Sequence, residues 1–175
     1  NTPRTTWGVQ DLSNSRALLT LVRSLADNRF RVLLQPRAGL DLFKPDLNEA
    51  KIQLAAVTAL MDDIEAGVDT SPDIIHVVSY SEALFLATPD IINESIQITQ
   101  HTLKAYRRAR RLGRIPDMTA NADVRQRSDE LLFAARAVIA ALEAGIPDLY
   151  TAEGLYVAMA AGFLPVPFLW AKTAE

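Results

Sequence analysis

Two polar clusters hold the side chains best suited to chemistry in this chain of 175 residues: Gln35-Pro36-Arg37 and Ser79-Tyr80-Ser81-Glu82. Each directly follows a short apolar run, Phe30 to Leu34 and Ile74 to Val78, that reads as a buried strand. Ligands of parallel α/β folds gather beyond the carboxyl ends of strands, so both clusters are candidate binding rims. An arginine on such a rim can grip a carboxylate or phosphate through two parallel hydrogen bonds. Arg37, with Gln35 beside it, is therefore the candidate substrate contact. The competing reading is that Arg37 and Glu82 simply pair with each other or with solvent, as surface charges commonly do.

Other chemistries are excluded or poorly supplied. The absence of cysteine removes disulfides, thiolate zinc sites, iron–sulfur clusters and cysteine nucleophiles together. His76 and His101 are too few for a three-histidine metal site, and His76 inside an apolar run reads as structural. Neither a phosphate-binding glycine loop, a dinucleotide fingerprint nor a nucleophile elbow is present. Asp62 and Asp63 are sequence neighbours, so on a helix they diverge and make no acid–base pair. The stretch Lys104 to Arg114 holds six of the eighteen cations, but it lacks interleaved aromatics and the net charge is −3. That combination speaks against nucleic acid as a partner. No apolar run approaches the ~20 residues that span a bilayer, so no membrane partner is expected, and the lack of cysteine suits the reducing cytosol, which makes a cytoplasmic location the expectation. The chain begins at Asn1 rather than methionine, as a processed or partial polypeptide would.

The elements that must position these residues follow from periodicity and caps. Ser13 to Ala26 reads as a helix with Leu18, Leu21, Val22 and Leu25 on one stripe. Pro45-Asp46 starts a second, with Ala50, Leu54, Val57, Met61 and Ile64 on one face. Thr88-Pro89 starts a third that runs to about Arg111, with Ile92, Ile96, Leu103 and Tyr106 facing inward. Asp123 to Ala144 is a fourth, with Leu131, Ala135, Val138 and Leu142 on its face, and Thr151 opens a shorter fifth ending at Gly162. The apolar stretch from Phe163 to Trp170, broken by two prolines, should pack as an extended tail against a partner surface. Strand, turn and amphipathic helix, twice in succession, predict an α/β fold with excess helix. The expected architecture is a partial (β/α) TIM-barrel-like portion over residues 1–120, followed by a helical extension and apolar tail over 121–175.

From Ile74 to Phe168 the chain also resembles the C-terminal part of the large subunit of adenosylcobalamin-dependent amino-acid mutases, such as glutamate mutase and lysine 5,6-aminomutase. The stretches that carry the likeness are His76 to Leu84 with Thr88-Pro89, then Gly113 to Met118, then Pro147-Asp148-Leu149, and finally Gly162 to Phe168. The resemblance implies a component of an isomerase that performs a radical 1,2-rearrangement of a small amino acid. It implies adenosylcobalamin held mainly by a cobalamin-binding subunit or domain, an oligomeric assembly, and pyridoxal phosphate as well if an amino group migrates. Glu82 matches a glutamate that contacts the adenosyl group, which makes Glu82, Ser81 and Tyr80 the implied cofactor contacts. A lysine four residues earlier in that family is Val78 here. The alternative expectation is a non-catalytic helical interaction or assembly module related to such a barrel.

Overall fold

A computed structural model describes residues 8–39 and 43–163. Of these, 57% are helix and 1% strand, and no sheet forms. The expected α/β class, with its partial TIM-barrel-like segment, is therefore corrected to an all-helical fold among the described residues. Five helices make it up: α1 (Val9–Arg23), α2 (Leu47–Asp62), α3 (Pro89–Arg111), α4 (Ala122–Gly145) and α5 (Ala152–Ala160).

The physical reason for the correction lies in the two apolar runs. They do lie side by side and parallel, but they touch through one isolated bridge, Arg37 to His76. Two backbone bonds hold them: Ile74 N–H donates to the Leu34 carbonyl (3.2 Å) and His76 N–H to the Pro36 carbonyl (3.1 Å). A longer ladder needs donors in return. Pro36 has no N–H, and the Leu34 N–H is taken by the Asp73 carboxylate at 2.8 Å. Extended backbone is present; a sheet is not.

Local caps set the helix starts. The Asp46 carboxylate accepts from the N–H groups of Asn48 (2.9 Å) and Glu49 (3.0 Å) at the head of α2. Thr88 caps α3, with Pro89 in its first turn. Thr151 caps α5 through the Gly154 N–H at 3.1 Å. Beyond α3, Gly113 adopts φ +65°, a left-handed conformation that glycine enters without side-chain strain.

The chain divides into two compact units, Asn1–Leu131 and Leu132–Glu175, with the boundary inside α4. In the first, α2 is central. Ala50, Leu54, Val57 and Met61 join Ala38, Phe43, Val78 and Tyr80 in one apolar cluster, flanked by Ile91 and Ile98 of α3. Leu60 and Ile64 join Leu12 of α1 and Val124 in another. The expected inner face of α2 is thus the buried one. On α3 it is so only in part: Ile92 and Ile96 are exposed and Leu103 and Tyr106 are half-buried, while Ser95 and Thr99 are buried. On α1 the buried residues are Leu12, Ser13 and Ala17, and Leu18 and Leu25 are exposed.

In the second unit, Leu142, Ile146, Leu149 and Ala158 form the core. Gly154 belongs there for a steric reason. A Cβ at that position would lie 2.4 Å from the Asp148 carbonyl and 2.7 Å from Leu149 Cα. Of the expected inner face of α4, Leu142 is buried and Val138 is exposed. The expected apolar tail lies, after Phe163, outside the described residues.

Candidate functional site

The turn that follows Ile74–Val78 is built from the inside outward. Val78, Ser79, Tyr80 and Ser81 are all buried, and Glu82 is exposed. The Ser79 and Ser81 hydroxyls bond each other at 3.1 Å. Tyr80 donates its hydroxyl to Glu94 of α3 at 2.5 Å, and Lys51 of α2 reaches the same carboxylate at 2.6 Å. The Lys51 ammonium also sits 4.9 Å from the Tyr80 ring centroid, within cation–π range. Lys51 first, then Tyr80, hold the Glu94 carboxyl below its usual range. Tyr80 and Ser81 thereby direct their polar atoms into the fold and fix the turn. Glu82 begins the exposed run, with its carboxylate making no hydrogen bond or ion pair among the described residues. Three exposed apolar residues follow it: Leu84, Phe85 and Leu86, the last 93% exposed.

Gln35 and Arg37 are exposed on the neighbouring extended segment. Gln35 Nε2 lies 3.3 Å from His76 Nδ1, so the structure does bring one residue of the first cluster against the second run. Arg37 shares the backbone bridge with His76, and its guanidinium has no partner among the described residues. Arg37 and Glu82 do not form an ion pair. No group of three or more His, Cys, Asp or Glu able to hold a metal ion occurs among the described residues.

One polar constellation escaped sequence reasoning. Asp62 and Asp63, at the end of α2, face Arg107 and Arg110 of α3. Arg110 bridges both carboxylates, at 2.6 Å to Asp62 and 2.8 Å to Asp63. Arg107 bonds Asp62 (2.7 Å) and the carbonyls of Asp69 (3.0 Å) and Ser71 (2.7 Å). Tyr106 donates to Asp63 at 2.5 Å. Arg16 of α1 completes the enclosure by donating to the carbonyls of Asp63, Ile64 and Met118. Burial pushes the Asp63 carboxyl up, opposed by Tyr106 and Arg110. Burial also raises the Tyr106 phenol, reinforced by its bond to Asp63. The neighbouring carboxylates that seemed to diverge are thus gathered by one guanidinium. The available signal was the spacing of Arg107 and Arg110, which places both on one helical face. With both carboxylates engaged by Arg107, Arg110 and Tyr106, this cluster clamps α3 to α2.

A groove of about 470 Å³ runs beside the first extended segment, walled by α1 and α2. Its lining is mostly apolar, with Leu18, Leu19, Leu33 and Ile64 among its walls, and includes Asp11 and Arg37. Among the described residues no helix is long and apolar enough to cross a membrane. No protein-family model matches the chain, and neither a curated protein nor a solved structure is significantly similar to it.

Proposed function

We propose that this chain is a component of an adenosylcobalamin-dependent isomerase that rearranges a small amino acid in the cytoplasm, together with a cobalamin-binding subunit or domain and as an oligomer. The observation that carries the reading is the state of Glu82: an exposed carboxylate with no partner among the described residues, placed directly after the buried Ser79-Tyr80-Ser81 turn. A carboxylate in that state can accept hydrogen bonds from two hydroxyls of a ribose. Tyr80 and Ser81, whose hydroxyls are engaged internally, serve by rigidifying the turn rather than by contact. Arg37, exposed and without a partner among the described residues, can take a substrate carboxylate bidentately, with Gln35 as a neutral donor beside it. The chemistry that adenosylcobalamin supplies when bound is homolysis of its cobalt–carbon bond.

The test is reconstitution of the full chain with a cobalamin-binding subunit, followed by electron paramagnetic resonance on adding candidate amino acids. A substrate-dependent cobalt(II)-coupled radical signal, lost in Arg37→Ala, is expected. Its absence with every amino acid tried, despite a formed complex, would refute the proposal. A second reading, a non-catalytic interaction module, is favoured by one observation: the consecutive exposed side chains Leu84, Phe85 and Leu86. Under that reading the complex forms and no radical appears.

A further inference from the structure

The segment Val32–Arg37 has two edges, and among the described residues only one is paired. Leu34 and Pro36 turn their carbonyls to Ile74 and His76. In extended backbone the groups of alternate residues point to opposite edges, so those of Leu33 and Gln35 face away from that pairing. Their N–H and C=O groups have no hydrogen-bond partner among the described residues. The segment also lines the apolar groove walled by α1 and α2. Exposed leucines sit at this place, Leu33 at 50% and Leu18 at 62%. Two charges with no ion-pair partner among the described residues share the lining: the half-buried carboxylate of Asp11 and the exposed guanidinium of Arg37.

We propose that this edge and groove form a docking site for an extended segment of a partner polypeptide, which adds to Leu33–Gln35 by backbone hydrogen bonds. Unpaired backbone donors and acceptors in register are what an added strand satisfies, and what a helix or a small apolar molecule leaves unmet. The groove beside them receives apolar side chains from alternate positions of the segment. The unpaired charges define the rest of its chemistry: an anion for Arg37 and a cation for Asp11. This site does not involve Glu82, but it shares Gln35 and Arg37 with the substrate contact proposed above, so a docked segment and a substrate carboxylate exclude each other at Arg37.

The probe is a blocked heptapeptide of alternating valine and threonine, with one lysine and one glutamate at its ends. Its control is the same peptide N-methylated at alternate amides. Titrated into the full chain, the first should slow amide exchange at Leu33 and Gln35 by about tenfold or more, and the methylated form should not. Leu33→Pro removes a donor that bonds no described residue, and should abolish binding without lowering the melting temperature. Leu18→Glu, on the exposed groove wall, should weaken binding while leaving the fold intact. No protection from the peptide, or equal binding of both peptides, would overturn the proposal. So would protection that appears on concentrating the chain alone, which would assign the edge to a second copy.

Discussion

Replacing Arg110 by methionine tests the clamp between α2 and α3. The methionine keeps much of the apolar stem and removes the guanidinium. Arg110 donates to Asp62 at 2.6 Å and to Asp63 at 2.8 Å, with its side chain 12% exposed and that of Asp62 1% exposed. Charge-assisted bonds contribute about 1.5–3 kcal/mol each, so two of them set an upper bound near 6 kcal/mol. Each carboxylate retains one strong donor, however: Arg107 for Asp62 and Tyr106 for Asp63. Removing one partner of a buried pair costs about 3–5 kcal/mol, and the retained donors place Arg110→Met at the lower end, near ~3 kcal/mol. Urea unfolding followed by far-UV circular dichroism should show the midpoint falling with an unchanged slope. A companion Arg110→Met/Asp63→Asn double variant should lose less than the sum of the two single changes, because it discharges one stranded carboxylate. A loss below ~1 kcal/mol in the single variant would show that water reaches Asp62 and that the clamp does not lock the helices.

Gly154→Ala should destabilise the second unit by about 2–3 kcal/mol, since its Cβ meets backbone at 2.4 Å; protease susceptibility between Leu132 and Phe163 reads this out. Asp46→Ala should cost about 1 kcal/mol of thermal stability by freeing the Asn48 and Glu49 N–H groups, with Asp46→Asn recovering most of it. Glu65 has its carboxyl held below the ordinary range by hydrogen bonds from Arg23, with Ser71 adding to the effect. The folded value lies below the unfolded one, so the stabilisation is present above the unfolded carboxylate pKa and is lost as pH falls through the folded one. Glu65→Gln should therefore flatten the acid limb of the stability profile between about pH 3 and 5, measured by thermal melts across that range.

Most helices were legible from local chemistry; α1 was the exception, since it starts at Val9 with no side-chain cap and leaves Leu18 and Leu25 of the expected stripe exposed. Thr88-Pro89 and Asp46 are caps, and the three-and-four spacing from Ala50 to Ile64 is the face that α2 buries. The strand-like runs were misread for a specific reason. Phe30 to Leu34 and Ile74 to Val78 have the composition of buried strands and do lie parallel, yet composition does not count hydrogen-bond donors. Pro36 lacks one and Asp73 takes another, which leaves a bridge where a ladder was expected. On α3 the most apolar stripe was assumed to face inward. Tyr106 of that stripe does reach inward, to Asp63, but Arg107 and Arg110 join it there by pairing with Asp62 and Asp63, while Ile92 and Ile96 stay exposed. Long-range charge pairing of that kind leaves no local periodicity. The exposure of Glu82 after a buried turn was readable from its place beyond an apolar run. The internal use of Tyr80 was not, because its partner Glu94 lies fourteen residues on, in the next helix.

The most direct measurement is the affinity of the reconstituted complex, this chain with a cobalamin-binding subunit, for adenosylcobalamin, compared between the native sequence and Glu82→Gln. The proposed contact predicts binding weakened by about 10- to 100-fold, the equivalent of one charge-assisted hydrogen-bonded carboxylate, with the melting temperature of the chain unchanged. Equal affinity in both forms, or a melting shift without an affinity change, would contradict the assignment of Glu82 to the adenosyl site and remove the observation on which the isomerase reading rests.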